Sequence, residues 1–246
     1  MTTLFAPDLA WGQADPATRV PTSFLIHGPS KVGKSEILLT CPAPILFADI
    51  EGQTRFLSNQ DKKWDWDMVS PFEPPPGTLW VRVRVTNYSQ IEQMYAIVSN
   101  PNSPFKTFAV DSISELQQKY IDRIAGANQM QTQDWGELLR GLATMIRKFR
   151  DLLEQPGNLE CVAITAMSKK VDGKDSPALQ GQLATMINYF LDVVGFYAPF
   201  EDIAANVSTR RLHMKTSPFY EAGSRIPWTP PYVDNPNLAQ LMVRPG

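Results

Sequence analysis

The sequence predicts an α/β fold in which a mostly parallel central sheet is flanked by helices. Three observations predict it. Short, strongly apolar runs of strand length alternate with segments whose apolar residues recur every three to four positions. Two of those runs end abruptly in carboxylates, as in Ile45-Leu-Phe-Ala-Asp-Ile-Glu51 and Thr107-Phe-Ala-Val-Asp111. That pattern suits strands buried on both faces and open to ligands at their carboxyl ends. Finally, the first run, Thr22 to His27, passes directly into a glycine-bearing loop and then a helix-like stretch.

Taken in order, residues 1–21 show no sustained period and carry Pro16 and Pro21, so they are expected to form an amino-terminal arm lying on a surface. The helix from Glu36 is stopped by Cys41-Pro-Ala-Pro44, because proline cannot continue it. After the strand at Ile45 to Glu51, the stretch from Gly52 to Gly77, with Trp64, Trp66 and three consecutive prolines, reads as an insertion with little regular structure. Trp80 to Val85 sets Val81, Val83 and Val85 against Arg82 and Arg84, a strand with one solvated face near a sheet edge.

Ser89 can cap a helix through about Ser99, followed by the strand ending at Asp111 and a helix from Ser112 to Ala125. Gly126 to Asp134 is a polar, amide-rich loop, and Asp134 suits the N-cap of the longest helix, whose stripe runs Leu138, Leu142, Met145, Ile146 and Phe149. Cys161 to Ala166 is another buried strand. Met167 to Pro177, polar and lysine-bearing with a glycine and a proline, is expected to be a mobile loop. Leu179 to Leu191 reads as helix, Val193 to Pro199 and Arg210 to Thr216 as strands, and 227–246 as a proline-rich tail closing in a short amphipathic segment near Leu238 to Val243.

Composition narrows the function classes. A chain of 246 residues accommodates one large α/β domain or at most two small ones, and one is expected. The net charge of −2 offers no bulk attraction to nucleic acid or anionic lipid, so any DNA contact must come from local patches. Cys41 and Cys161 stand 120 positions apart without zinc-ligand spacing, and read as buried, reduced thiols whose pairing would be coincidental. His27 and His213 have no ligand-like neighbours in the sequence. No apolar run approaches the ~20 residues of a membrane span, and Met1 to Ala6 lacks a basic-then-apolar leader, so no membrane partner and a cytoplasmic location are expected.

The glycine-bearing loop is Gly28-Pro29-Ser30-Lys31-Val32-Gly33-Lys34-Ser35, with the spacing G-x-x-x-x-G-K-[ST] between strand and helix. A triphosphate needs several backbone N–H groups aimed at one spot, so glycines stand where side chains would block the approach, and a helix N-terminus adds its positive end. ATP is therefore expected on residues 28–36, from Gly28 through Glu36. Lys34 would reach the β- and γ-phosphates, and the Ser35 hydroxyl would bind Mg²⁺.

Asp111, ending a strand, stands where a metal-orienting carboxylate belongs and would hold Mg²⁺ through water beside Ser35; it could equally cap the following helix. Glu51 can orient a water in line with the γ-phosphate as general base, the alternative being a turn carboxylate before Gly52. Asp49 is either buried or a support for that loop.

The segment Phe47-Ala-Asp-Ile-Glu-Gly-Gln-Thr-Arg-Phe56 resembles the Asp-x-Glu-Gly segment of RecA-type strand-exchange ATPases, and Val110-Asp-Ser112 resembles their Walker B strand. The order of elements over residues 22–226 is similar to the RecA core. Asp134-Trp-Gly136 and Met214 to Arg225 look most like the phage-encoded RecA-like single-strand annealing ATPases, the fourth of the Sak classes. The resemblance implies a RecA-like P-loop NTPase core with antiparallel carboxyl-terminal strands, Glu51 as catalytic base, and a Mg²⁺-dependent ATPase acting on single-stranded DNA in phage recombination or annealing. It also implies a homo-oligomer or filament, with a phage or host single-strand-binding protein as a further partner.

Where RecA proteins carry an Asn-Gln pair that senses the γ-phosphate, this chain has Thr165-Ala-Met-Ser168, which leaves Thr165 or Ser168 for that role. Lys215 or Arg225 would act on a neighbour's γ-phosphate across a subunit interface, or be ordinary surface cations. The loops at 126–134 and 167–178 fall where the family binds DNA, so Lys169, Lys170 and Lys174 would contact phosphates. Two other classes remain: a P-loop loader or regulator of replication proteins without DNA affinity, and a nucleotide kinase.

Overall fold

A computed structural model describes residues 19–126, 128–155, 157, 159–202 and 207–246. The expected arm falls outside the described residues as far as 18; from there Val20 donates its N–H to Met242 O (2.8 Å). The strands are β1 (Thr22–Gly28), β2 (Ile45–Asp49), β3 (Lys63–Asp65), β4 (Trp80–Arg84), β5 (Thr107–Asp111), β6 (Cys161–Val171), β7 (Lys174–Pro177), β8 (Val193–Asp202), β9 (Val207–His213), β10 (Gly223–Ser224) and β11 (Tyr232–Asp234). The helices are α1 (Lys34–Leu38), α2 (Ser89–Val98), α3 (Ile113–Ala125), α4 (Thr132–Asp151), α5 (Leu183–Met186) and α6 (Leu238–Leu241).

The strands form one sheet of order β11-β9-β8-β1-β6-β5-β2-β4-β3, with β7 paired to β6 and β10 to β8. From β8 across to β3 every pairing is parallel, while β8–β9 and β9–β11 are antiparallel. This is the mostly parallel α/β architecture that the sequence predicts, with antiparallel carboxyl-terminal strands.

Alternation within each central strand builds two cores. Leu25, Leu46, Phe108 and Ile164 face α2, α3 and α4, whereas Phe24, Ile26, Phe47 and Ala163 face α1 and α6. Because both faces are covered, β1, β2 and β5 are buried along their whole length. On the first face Phe149 of α4 stacks on Phe108 (centroids 4.0 Å apart) and Tyr88 stacks on Tyr120 (4.1 Å). A Cβ on Gly141 would overlap the Tyr120 ring, which is why α4 carries a glycine there.

Four expectations change. The 52–77 stretch is not featureless: it supplies edge strand β3 and two one-turn 3-10 helices, and Trp64, Trp66 and Phe72 pack together against Phe105. Asp134 is not the N-cap of α4. Gln131 is, and Asp134, three residues on, accepts the Gln131 N–H (2.7 Å) in a capping box. Residues 167–177 are no loose loop, because β6 continues to Val171 and turns back as β7 through Asp172 and Gly173, both at positive φ (50° and 80°). The helix expected over 179–191 contracts to α5 and one 3-10 turn. Cys41 and Cys161 are buried free thiols, as expected, although the fold brings their sulfurs to 3.7 Å.

Residues 227–246 add β11 to the sheet and α6 to the second core, where Leu238 and Met242 are fully buried beside Leu38 of α1. No helix among the described residues is long and apolar enough to cross a membrane.

Candidate active site

The parallel register brings the chemistry to one edge. β1 ends at Gly28 opposite Met167 of β6, and Asp49 of β2 stands level with Asp111 of β5. Gly28 must be glycine because a Cβ there would overlap the carbonyl oxygen of Tyr197 on β8. Gly33 sits at φ 96°, the left-handed region, and turns the chain into α1. Val32 is buried and pins the loop into the second core, while Pro29, Ser30 and Lys31 are exposed.

Lys34 Nζ donates to the carbonyls of Gly28 (3.0 Å) and Pro29 (2.7 Å), so the cation lies folded over its own loop. Burial lowers its pKa, while Glu51 and Asp111 act in the opposite sense. Glu36 is turned away, its carboxylate accepting the Ser58 N–H (3.0 Å), so it ties α1 to the 52–77 stretch.

Asp111 is 3% exposed and receives a hydrogen bond from the Ser35 side chain. Thr165, fully buried behind it, donates to Asp111 Oδ1 (2.5 Å). Burial pushes the Asp111 pKa up to about 6, against the two hydroxyl bonds and with the repulsion of Glu51 and Asp49 added. Ser112 caps α3 and also donates Oγ to Glu51 Oε1 (2.5 Å), and the Ile50 and Glu51 N–H groups both bond Asp111 O. The two acids named from the sequence are thus laced together. Helix capping, the alternative role for Asp111, falls to Ser112.

The open alternative for Asp49 resolves as both. It is fully buried and accepts from Gly52 N (2.7 Å), Thr54 Oγ1 (3.0 Å) and Arg82 Nε (2.7 Å). Arg84 Nη1 donates to the carbonyls of Asp49 (2.9 Å) and Ile50 (2.7 Å), and its guanidinium packs against Gly52, at φ 77°. Arg82 and Arg84, read as a solvated face, instead clamp the turn that presents Glu51. The valine–arginine alternation carried no sign of this, because the partner carboxylate comes from β2.

The remaining candidates separate. Ser168 lies 2.8 Å from His27 Nδ1, and His27 Nε2 lies 2.6 Å from Glu221 O. A carbonyl only accepts, so Nε2 carries the proton and Nδ1 takes the serine's. Burial lowers the His27 pKa, so His27 is a neutral tie between β1, β6 and the Glu221 loop. Lys169 donates to Leu179 O, and Lys170 pairs with Asp175 (3.0 Å), so two of the three lysines on the β6–β7 hairpin are engaged; Lys174 is half-buried. Lys215 is exposed after β9. Arg225 is exposed, bonded to Tyr189 O and 4.0 Å from Asp192. Asp192 in turn accepts from Ser23 at the start of β1, ~16 Å of strand from Gly28. Neither Lys215 nor Arg225 joins its own chain's phosphate loop.

The profile of the AAA domain family matches residues 21–226, from the start of β1 to just past β10. The chain belongs to the AAA domain family. In this AAA domain the matched span holds the whole constellation of Lys34, Ser35, Glu51 and Asp111, and the protein is a P-loop ATPase. A solved structure to which the AAA domain is similar is the flagellar accessory protein FlaH from Methanocaldococcus jannaschii, at 13% identity over 79% of this chain and 78% of that one, with a TM-score of 0.42. No curated protein matches the chain.

Mg²⁺ suits these donors. Ser35 and Asp111 are hard oxygen ligands, and a carboxylate raised by burial and by two acidic neighbours is one that a divalent ion would relieve. Among the described residues no group of three or more His, Cys, Asp or Glu could hold a metal by itself. With one hydroxyl and one carboxylate from the protein, nucleotide phosphates and waters would complete the shell of the ion.

Proposed function

We propose that this AAA-domain protein is a Mg²⁺-dependent ATPase of RecA type that works on single-stranded DNA in phage recombination or annealing, as a homo-oligomer or filament. One observation carries the ATPase chemistry: Ser35, Asp111, Thr165, Ser112 and Glu51 form a continuous hydrogen-bonded array beside the Lys34 loop.

In the mechanism, the loop amides and Lys34 hold the β- and γ-phosphates, with Lys34 exchanging its two carbonyl partners for phosphate oxygens. Thr165 fixes the Asp111 carboxylate so that it faces Ser35. Mg²⁺, held by Ser35 and through water by Asp111, would neutralise charge building on the β- and γ-oxygens. Glu51, steadied through Oε1 by Ser112, accepts the proton of a water through Oε2 as that water's oxygen bonds γ-phosphorus and the bond to the β–γ bridging oxygen breaks, leaving ADP and phosphate. Ser168, beside His27, is the remaining side chain for γ-phosphate sensing, and Lys215 or Arg225 would complete a neighbour's site.

The DNA assignment is supported by the resemblance to RecA-type annealing proteins and by the projection of the β6–β7 hairpin, with Lys169, Lys170 and Lys174, from the edge that holds the nucleotide. A second reading, a nucleotide-gated loader or regulator of replication proteins without intrinsic DNA affinity, is favoured by the engagement of Lys169 and Lys170 within the chain and by the net charge of −2. Hydrolysis assayed with and without single-stranded DNA, over a salt series, separates them. Stimulation that fades with salt supports the first reading; salt-independent, DNA-independent hydrolysis supports the second. Lys34→Ala is expected to abolish ATP binding, and normal turnover in that variant would sink both.

A further inference from the structure

The groups that act on the γ-phosphate all lie to one side of β1. Thr165, Asp111 and Glu51 come from β6, β5 and the end of β2, on one flank, while β8 and β9 form the other. A nucleotide whose terminal phosphate reaches Asp111 and Glu51 while its chain crosses the Gly28–Ser35 loop must direct its nucleoside end the opposite way, over the β8–β9 hairpin.

Arg210 stands on that route. On β9 it pairs with Pro199 of β8, beyond the level at which Leu212 meets Tyr197, and hence past the end of β1. Its guanidinium lies against the loop: a Cβ on Gly33 would meet Arg210 Nη1 at 2.5 Å and Cζ at 3.1 Å. The residue is anchored on three sides. Its side chain bonds the buried Tyr197, its carbonyl accepts the Asn235 N–H (2.7 Å), and its own N–H reaches Asn235 Oδ1 (3.4 Å). A fixed cation thus stands against the phosphate loop on the flank away from Asp111 and Glu51, where the non-transferred phosphates would pass.

We propose that Arg210 binds the nucleotide in cis, its guanidinium taking oxygens of the non-transferred phosphates from the side of the loop opposite the catalytic acids. The inference rests on the ATPase reading and adds the residue that fixes the nucleoside end. Guanidinium suits the task because its planar fork can bond phosphate oxygens while Tyr197 holds its edge.

Titration calorimetry of the full chain with ADP and with ATP tests it, alongside steady-state hydrolysis. Arg210→Ala is expected to weaken both nucleotides equally, by roughly 10- to 100-fold, with kcat little changed. Arg210→Lys should recover part of the loss. Arg211→Ala, which removes an ion pair with Asp234 rather than a contact with the loop, should leave both affinities as they were. If Arg210→Ala does not fold, Arg210→Gln, which removes the charge at similar reach, reads the same effect. Unchanged affinities in the Arg210 variants overturn the inference, as does a fall in kcat with affinity intact. Turnover restored by mixing Arg210→Ala with Lys34→Ala also overturns it, by assigning the arginine to a neighbour's nucleotide. Wild-type protein that binds neither nucleotide would overturn the ATPase reading and this inference with it.

Discussion

Replacing Asp111 by asparagine is expected to abolish hydrolysis while making the metal-free protein more stable at neutral pH. The carboxyl is 3% exposed, faces Glu51 and Asp49, and its pKa is pushed up to about 6 from an ordinary 3.8. Below the lower value both the folded and unfolded chains carry the proton, and the group costs nothing. As pH rises through 3.8 the unfolded chain ionises first, and stability is lost until the folded carboxyl follows near 6. The cost is complete above that and amounts to about 3 kcal/mol. The asparagine side chain keeps an oxygen for Ser35 and Thr165 and carries no charge, so the variant should recover up to that amount. For a chain of this size the gain would raise the melting temperature by ~6–12 °C at pH 7.5. Thermal melts of wild type and Asp111→Asn in chelator, at pH 4 and pH 7.5, read it directly. Equal or lower stability at pH 7.5, or a gain that persists at pH 4, would refute the argument that function here holds a charge in an adverse place.

Glu51→Gln should keep ATP bound while turnover drops roughly 100-fold or more; unchanged hydrolysis would move the base elsewhere. Gly28→Ala drives a methyl into the Tyr197 carbonyl and should cost about 1–3 kcal/mol, read as a lower melting temperature together with weaker ATP binding. A melt unchanged from wild type would contradict that packing. His27, with its pKa lowered from 6.5, contributes stability that is whole above that pH and is lost as pH falls through the folded value. His27→Gln should therefore lack this acid-side loss when the two proteins are melted across pH 8 to 5, and parallel pH profiles would argue against the neutral tie.

The parts of the site legible in the sequence are those whose signal is local. The loop declares itself within Gly28–Ser35, and Asp111 and Glu51 stand out because each follows an apolar strand. Thr165 lies at the strand end where a sensor is expected, and its bond to Asp111 is a contact that the sequence alone does not announce. Arg82, Arg84 and Arg210 give no signal, because each acts on a residue from another part of the chain that only the sheet order brings near. The β6–β7 hairpin differs again: Val171-Asp-Gly-Lys174 carries a recognised two-residue turn signal, and reading the lysines as loop outweighs it. The short form of α5 has a local origin too, in Gly181 at φ 62° just ahead of it.

The tail bears on what counts as the smallest working piece of this protein. α1, which shapes the nucleotide loop, is only five residues long and cannot hold itself together alone. Its far end is gripped by the last residues of the chain: Leu238 donates its N–H to Thr40 Oγ1 (2.9 Å), Ala239 donates to Thr40 O (3.1 Å), and Leu238 and Met242 seal the core beneath it. The family match stops at 226. A fragment trimmed to that boundary would carry every residue of the catalytic array, yet the helix behind the phosphate loop would lose its keystone. The borders of inherited similarity and of mechanical integrity lie some distance apart in this chain.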